Sequence, residues 1–158
     1  MTIQFSYEKK KVIQALRHHF LSRPEIRAMI IVVNVFALIS AVLFYLHKIL
    51  PFAFLVGSFL WLVLMITVWY IMPMMVYRKS HTFKDHFSMT FQEDGFTWGN
   101  ERGGKKFGWN TLSKFMETPY FFYFYFNAQA FFLIPKSGFG DSDEVHQLRQ
   151  LLKEKVRK

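Results

Sequence analysis

The chain has 158 residues, of which 52% are hydrophobic and 20% aromatic, and at this length only one small soluble domain fits beside any membrane-spanning segment. The absence of cysteine excludes disulfides, thiol chemistry and thioether lipid anchors. The formal net charge of +9 suits nucleic acid or anionic lipid, and because the basic residues flank apolar segments, lipid is favoured over nucleic acid.

The first predicted element is a short strand at the N-terminus. Residues 2–7 (TIQFSY) alternate between polar and apolar side chains, and Ile3, Phe5 and Tyr7 share one side. We expect this end on the same side of a membrane as the C-terminal region, so the strand is available to join a sheet formed there.

A basic amphipathic helix is predicted to follow, over residues 8–21. Such a helix either lies on the membrane surface or packs its apolar face on the soluble domain, and the sequence leaves both alternatives open. Its apolar face consists of Val12, Ile13, Leu16 and Phe20, and its polar face of Lys10, Lys11, Gln14 and Arg17.

Two long uncharged segments form the centre of the chain. Residues 28–46 and 49–77 contain no Asp, Glu, Lys or Arg, and a membrane core requires about 20 apolar residues at a rise of about 1.5 Å per residue. Neither segment shows the polar stripe of a helix that packs on one side of a soluble domain. The sequence therefore predicts a hairpin of two membrane-spanning helices, which is retained rather than cleaved as a signal peptide.

The boundary before the first spanning helix has the pattern Ser22-Arg23-Pro24-Glu25. This pattern is typical of a capping box with proline in the first turn. We therefore expect a helix to begin here with Ser22 as its N-cap.

Basic residues predict the orientation of the hairpin. Nine Lys and Arg residues flank its outer ends, whereas the connecting loop contributes only Lys48. By the positive-inside rule, both termini are expected in the cytoplasm. The flanking residues are Lys9, Lys10, Lys11, Arg17, Arg23 and Arg27 before the first helix, and Arg78, Lys79 and Lys84 after the second.

Polar residues and a proline predict how the two helices meet and bend. Measured from the cytoplasmic ends, Asn34 and Thr67 lie at similar depth, so we expect an interhelical polar contact between them. Pro73 lies inside the second helix and lacks the N–H that would bind the Trp69 carbonyl, so a bend is expected there.

Residues after position 79 predict an antiparallel β domain that ends in a helix. Turn residues separate short alternating segments, and Gly103-Gly104 allows positive φ in one of these turns. Residues 141–144 (DSDE) supply an N-cap and acids for the positive end of a C-terminal helix. The predicted strands are residues 83–91, 96–99, 105–109, 112–117, 120–126 and 130–135, which suggest a strongly bent sheet plugged at one end.

The chain resembles the YcxB-like family over nearly its whole length. The resemblance implies a pleckstrin-homology-like (PH-like) fold on a two-helix anchor in a bacterial inner membrane, and none of the residues that carry it is catalytic. Those features are the two apolar helices, Trp109, Glu117-Thr118-Pro119, the strand end Phe132-Leu133-Ile134-Pro135-Lys136, Phe139 and the last helix.

The expected fold is an α+β membrane protein. It consists of a two-helix transmembrane hairpin followed by a PH-like antiparallel β domain capped by a C-terminal helix. The expected segments are residues 1–27 for the N-terminal strand and amphipathic helix, residues 28–79 for the hairpin, and residues 80–158 for the YcxB-like cytoplasmic domain.

The most unusual segment of the β domain is residues 120–126 (YFFYFYF). Strand alternation places Phe121, Tyr123 and Tyr125 on one face and three Phe side chains on the other, and one face must lie in the core. The face with two hydroxyls is therefore a candidate interaction surface. The alternative is that other parts of the chain cover it.

A second candidate site consists of basic residues that suit lipid head groups. One group lies on the second hairpin and the other lies at the start of the amphipathic helix. An ordinary solvated loop is the alternative for the hairpin group. The candidate residues are Lys9, Lys10, Lys11, Arg102, Lys105 and Lys106.

The sequence contains no catalytic or metal-binding constellation, and no cofactor is expected. His81 and His86 lack a third ligand, and Gly103-Gly104 lacks the context of a nucleotide loop. We therefore predict a non-enzymatic, membrane-anchored interaction module. Its expected partners are membrane lipid and an integral or peripheral membrane protein, with no nucleic acid, and recognition of anionic lipid is the alternative function.

Overall fold

The computed structural model describes residues 1–100 and 102–156. The chain divides into two compact units. The first combines Met1–Lys11 with His81–Lys158 and is called the β domain below; the second, Val12–Ser80, is called the helical unit. The N-terminal strand belongs to the β domain. The boundary between the two units therefore follows that strand, and it falls after Lys11, within the predicted amphipathic helix.

Within the described residues, seven antiparallel strands form two sheets in the β domain. They are β1 (Thr2–Ser6), β2 (His86–Phe91), β3 (Gly95–Asn100), β4 (Gly103–Gly108), β5 (Lys114–Glu117), β6 (Phe121–Tyr125) and β7 (Phe131–Pro135). The first four strands form one sheet in the order β1-β2-β3-β4, and the last three form the other in the order β5-β6-β7. Two sheets therefore replace the single bent sheet that the sequence suggested.

Strand β1 confirms the predicted N-terminal strand and pairs with β2. Ile3 lies opposite Met89 and Phe5 lies opposite Phe87, and all four side chains are buried. Because successive strand side chains point to opposite faces, the alternation in β1 directs its apolar residues into the core. The two strands of this ladder are separated in the sequence by the whole helical unit.

Aromatic side chains fill the core of the β domain. Phe96, Phe122 and Phe124 are each 0% exposed, and the rings of Phe96 and Phe124 meet edge to face at 5.4 Å between centroids. Trp109 is buried beside them, and its indole N–H donates to the Gln92 carbonyl at 3.0 Å. These contacts use much of the aromatic content of the chain for internal packing.

The C-terminal helix α5 (Ser142–Lys155) begins at the predicted N-cap. The Asp141 side chain accepts a hydrogen bond from the Glu144 backbone N–H at 2.8 Å, which satisfies one of the free donors of the first turn. Leu148 and Leu152 are both 0% exposed and belong to the aromatic core. The prediction of antiparallel strands followed by an amphipathic C-terminal helix is thus confirmed.

The helical unit contains the amphipathic helix and the two long apolar segments. Proline at the first position begins both long helices, where its missing N–H costs no hydrogen bond. The elements are α1 (Lys9–Ser22), α2 (Pro24–Tyr45), α3 (Pro51–Ile66), a π-helical turn (Thr67–Ile71) and α4 (Met72–Lys79), the last three forming one continuous helix.

Both long helices leave their apolar side chains uncovered. They contain 22 and 29 residues, and 0% and 6% of their most apolar stretches is buried. Phe36, Phe52 and Leu55, for example, are 67%, 76% and 66% exposed. By length and composition, both helices are long and apolar enough to cross a membrane.

The structure gives Asn34 a different interhelical partner from the expected Thr67. Asn34 Oδ1 accepts a hydrogen bond from Trp61 Nε1 at 3.4 Å, and Asn34 Nδ2 donates to the Ile30 carbonyl at 2.7 Å. The Thr67 hydroxyl donates to the Val63 carbonyl of its own helix at 2.8 Å. The prediction counted from the outer ends of two helices that differ in length, whereas the connecting loop sets their register. Counted from that loop, Asn34 and Trp61 lie at similar depth, because α2 ends at Tyr45 and α3 begins at Pro51.

The boundary between α1 and α2 lacks the expected side-chain cap. Ser22 is the last residue of α1, and its hydroxyl donates to the His18 carbonyl at 2.8 Å. The N-cap of α2 is Arg23, in extended conformation and without a side-chain cap hydrogen bond. Because Ser22 is still helical, its hydroxyl bonds back along its own helix instead of forward to the next one.

Pro73 leaves the Trp69 carbonyl without its usual helical donor, and Arg17 donates to that carbonyl instead. The proline cannot donate to the Trp69 carbonyl, and the helix passes through the π-helical turn just before it. Arg17 Nε donates to that carbonyl at 3.0 Å. The guanidinium carbon also lies 5.1 Å from the Trp69 ring centroid and 5.4 Å from that of Tyr70. A hydrogen bond and two cation–π contacts therefore attach α1 to the π-helical turn.

We expect Ile3→Ala to destabilise the β domain by about 2–4 kcal/mol, because it leaves a cavity at a position that is only 2% exposed. The loss should appear as faster hydrogen exchange at the amides of β2 in the full chain. Gln4→Ala, which truncates an exposed neighbour on the same strand, is the matched control. Unchanged exchange in Ile3→Ala would contradict a structural role for β1.

Candidate interaction surface

Strand β6 carries the aromatic candidate surface, and both of its faces are buried. Phe121, Tyr123 and Tyr125 are 4%, 0% and 4% exposed, and the rings of Tyr123 and Tyr125 stack at 6.2 Å between centroids. A strand that is apolar on both faces is stable when both faces are covered. In the folded chain this face is covered, as in the second of the two alternatives, and it is not exposed for docking.

Burial raises the pKa of three tyrosine hydroxyls in the β domain. Desolvation raises the pKa of Tyr125 to about 12 and also raises the pKa of Tyr123. Tyr7 is a third case: burial raises its pKa, and its hydroxyl donates to the Leu133 carbonyl at 2.6 Å. These hydroxyls therefore act as neutral hydrogen-bonding groups inside the fold.

The apolar face of α1 is also buried within the chain. Val12, Ala15 and Leu16 are 0%, 4% and 1% exposed. Of the two alternatives for α1, the one that lays this face on lipid would need it uncovered. What α1 exposes is its polar side.

The three candidate lysines of α1 lie in its first turn. Lys9 and Lys10 are exposed, and Lys11 is partly exposed. Lys11 Nζ lies 2.8 Å from a Glu8 carboxylate oxygen, and this hydrogen bond raises the pKa of Lys11. This turn therefore presents positive charge on the surface of the β domain.

The candidate basic residues of the β3–β4 hairpin are exposed. Arg102 lies at the tip, next to β4. Lys105 Nζ lies 5.3 Å from the Phe107 ring centroid. Lys106 Nζ pairs with Asp94 at 2.7 Å, and this hydrogen bond lowers the pKa of Asp94. The hairpin thus presents three cations, one of which is paired.

A shallow polar depression lies beside this hairpin. Its volume is about 150 Å³, and it is lined by Lys84, Asp85, His86, Asn100 and Arg102. Two cations against one carboxylate give it a net positive charge when the histidine is neutral. A second depression of about 520 Å³ shares His86 and Asn100 with it. The charge of the smaller depression suits a phosphate group.

Glu117 joins three elements of the β domain through two cations. Its Oε1 accepts hydrogen bonds from Lys136 Nζ at 2.6 Å and Arg149 Nη2 at 2.7 Å, and its Oε2 accepts one from Arg149 Nε at 2.8 Å. Glu117 ends β5, Lys136 directly follows β7, and Arg149 lies on α5. The two parallel hydrogen bonds from arginine fix the angle of α5 against the three-stranded sheet.

This network lowers the pKa of Glu117 to about 2, with the Arg149 hydrogen bond as the largest cause. The sequence singled out Glu117 and Lys136 only as family features and assigned no role to Arg149. Glu117 lies 19 positions from Lys136 and 32 from Arg149. Such separations match no helical or strand period, so no local pattern indicates the network.

Comparisons with known proteins support the resemblance seen in the sequence. Residues 91–152 match the family model described as YcxB-like protein. This region runs from the end of β2 into α5 and includes Trp109, Glu117, Lys136 and Arg149, so the expected family is confirmed over that part of the chain. No curated protein and no solved structure matches the chain.

We expect Glu117→Gln to reduce the loss of stability in acid. The Glu117 carboxyl has a pKa of about 2 against an ordinary value of 4.5, so its contribution is present above pH 4.5 and is lost as the pH falls toward 2. After a discount for solvent screening, the free energy of unfolding that the native chain loses through Glu117 in acid should be about 1–2 kcal/mol.

Thermal unfolding of the full chain in detergent, compared at about pH 6 and about pH 3, measures this effect. Glu154→Gln on α5 is the control, because the Glu154 side chain is 71% exposed and lies 3.4 Å from Lys155. An equal acid-induced loss in the two variants would show that Glu117 does not contribute through its charge.

Proposed function

Residues 91–152 form a YcxB-like region, and from this premise we propose that the protein is a non-enzymatic, membrane-anchored interaction module. In this proposal α2 and the continuous helix α3–α4 cross a bacterial cytoplasmic membrane as a hairpin. The β domain has a PH-like fold, lies at the cytoplasmic face and binds a protein partner there.

The apolar surface of the two long helices is the observation that carries the proposal. Phe36, Leu38 and Phe52 are 67%, 69% and 76% exposed, and apolar area left in water costs roughly 25 cal/mol per Å². The polar side chains of Ser58 and Thr67 bond to carbonyls of their own helix, at 2.9 and 2.8 Å. Helices that satisfy their polar groups internally and expose apolar side chains match a hydrocarbon environment.

Strand pairing supports a hairpin rather than a single crossing. Because β1 pairs with β2, the chain that leaves the β domain before α2 must return to it after α4. Two crossings meet this requirement and one crossing does not. The nine basic residues at the outer ends, against Lys48 alone in the loop, support a cytoplasmic location for the β domain.

Because the chain has no cysteine, single introduced cysteines report its topology without background. We expect Lys48→Cys, in the loop between α2 and α3, to react with a membrane-impermeant maleimide on intact spheroplasts. Asn110→Cys, at an exposed position of the β domain, should react only after permeabilisation. Labelling of Asn110→Cys in intact spheroplasts, or a chain that stays dissolved without detergent, would reject the proposal.

The layout of the β domain supports the PH-like part of the proposal. A four-stranded sheet, a three-stranded sheet and a C-terminal helix agree with the fold that the family resemblance implies. Here the helical unit separates the first strand from the second. A fragment restricted to residues 80–158 lacks β1, so tests of function require the full chain.

The exposed surface of the β domain supports a polar mode of protein binding. Among its described residues, Tyr120, at 54%, is the one large hydrophobic side chain that is mostly exposed. The remaining surface offers charges and backbone at a sheet edge. Tethering at a membrane raises the effective concentration toward other membrane proteins, so weak polar contacts suffice for association.

Cross-linking in native membranes followed by mass spectrometry tests for the partner. We expect cross-links between lysines of the β domain and a second membrane-associated protein. Ile3→Asp, which places a charge in the core and unfolds the β domain, should abolish them. Recovery of contacts only within the chain or between its copies would count against a protein-binding function.

Recognition of anionic lipid is the second candidate, and the positive depression beside the β3–β4 hairpin favours it. Lys84 and Arg102 line that depression together. Native mass spectrometry of the full chain, with phosphatidylglycerol and phosphatidylcholine as probes, separates the two functions. A lipid-recognising protein retains phosphatidylglycerol selectively and loses this selectivity when both residues are changed to Gln. A protein-binding module shows no such selectivity.

A further inference from the structure

Strand β4 leaves one edge of the four-stranded sheet open. Within the part of the chain that the structure describes, β4 pairs with β3 only, and its residues from Gly103 to Lys106 are exposed. In an antiparallel sheet, half of the backbone N–H and C=O groups of an edge strand point away from its neighbour. These groups are therefore available to an additional strand.

The spacing between β3 and β4 shows which backbone groups point outward. A Cβ built on Gly95 would lie 3.0 Å from Gly108 Cα, and one built on Gly99 would lie 3.2 Å from Gly104 Cα. Such close approach is typical of paired residues that do not exchange hydrogen bonds. By alternation Lys106 belongs to the same set. The N–H and C=O groups of Gly104 and Lys106 thus point to the open edge.

The open edge has a defined length. At one end, the Gly108 carbonyl already accepts a hydrogen bond from the Thr111 hydroxyl at 2.7 Å. At the other end, a Cβ built on Gly103 would meet no described atom within 4 Å apart from its chain neighbours. The segment between them accommodates an added strand of about five residues, or about 17 Å at the usual rise.

The charges beside this edge select its occupant. Arg102, Lys105 and Lys106 are exposed, and Lys106 is paired with Asp94 at 2.7 Å. Edge-to-edge pairing of two copies would set these like charges against each other, which destabilises cross-strand pairs. An extended segment with Asp or Glu at alternate positions complements them. The basic edge therefore disfavours a second copy and favours an acidic strand.

We propose that β4 is a docking edge for an extended acidic segment of a partner protein, which adds to the sheet as a fifth strand. The inference rests on the proposed protein-binding function and assigns it a surface. Main-chain hydrogen bonds supply affinity without an apolar docking patch, and lysines beside the edge supply selectivity. Gly104 and Lys106 provide the main-chain groups.

The test uses the full chain in nanodiscs and a short fluorescent peptide in which Glu and Val alternate. A peptide of the same length in which Lys and Val alternate is the matched control. We expect saturable binding of the Glu peptide only, weakened at least about tenfold when salt rises from about 0.05 M to about 0.3 M. Hydrogen exchange should slow at the Gly104 and Lys106 amides when the Glu peptide binds.

Variants separate main-chain pairing from charge attraction. Lys106→Pro removes an outward N–H, keeps the hydrogen bonds to β3 and should abolish binding. Continued protection of the Lys105 and Phe107 amides in this variant shows that the hairpin remains folded. Lys106→Gln should weaken binding about threefold through charge alone, and Lys153→Gln, which removes the same charge from α5, should leave it unchanged.

Slowed exchange at Gly104 and Lys106 together with loss of binding in Lys106→Pro would support the docking edge. If Lys106→Pro unfolds the hairpin, the exchange measurement on the native chain decides. Binding without slowed exchange at these two amides, binding that survives in a folded Lys106→Pro variant, or no binding of the Glu peptide would overturn the inference. A partner cross-linked elsewhere on the β domain would leave the proposed function standing and reject this surface.

Discussion

The pairing of β1 with β2 is the constraint on which the rest of the structure depends. It joins two strands that lie on either side of the helical unit in the sequence, so the apolar segment between them must begin and end at the same domain. Its register is set by burial, because a shift of one residue would turn Ile3 and Phe5 from the core to the surface. The four-stranded sheet is therefore complete only after the chain has passed through the helical unit and returned to the β domain.

Within the helical unit, polar groups find partners and the apolar side chains remain uncovered. Pro73 leaves the Trp69 carbonyl without its helical donor, and the Arg17 side chain supplies one at 3.0 Å. Asn34 and Trp61 similarly satisfy each other across the two long helices. The apolar side chains that stay exposed on the long helices suit the hydrocarbon environment that we propose for them.

In the long helices many aromatic side chains are exposed, whereas in the β domain most of them are buried. Its rings pack inside, including both faces of β6, while the Glu117 ion-pair network fixes α5 against the sheet. Little apolar surface is left for recognition. The exposed surface includes the cations of the β3–β4 hairpin and the open edge of β4, and these two features are the basis of the proposed acidic, extended partner. The packing that makes so small a core stable thus also limits how the domain can bind.

Local patterns in the sequence by themselves determined the elements. Alternation predicted the strands, apolar length predicted the two long helices, and Asp141 was recognised as an N-cap. Each of these signals comes from residues a few positions apart. The family resemblance also came from short motifs. Tertiary structure alone decided that Tyr123 is covered, that Asn34 meets Trp61 and that Glu117 binds two cations from other elements. These outcomes depend on which elements become neighbours in space, and no spacing along the chain encodes that.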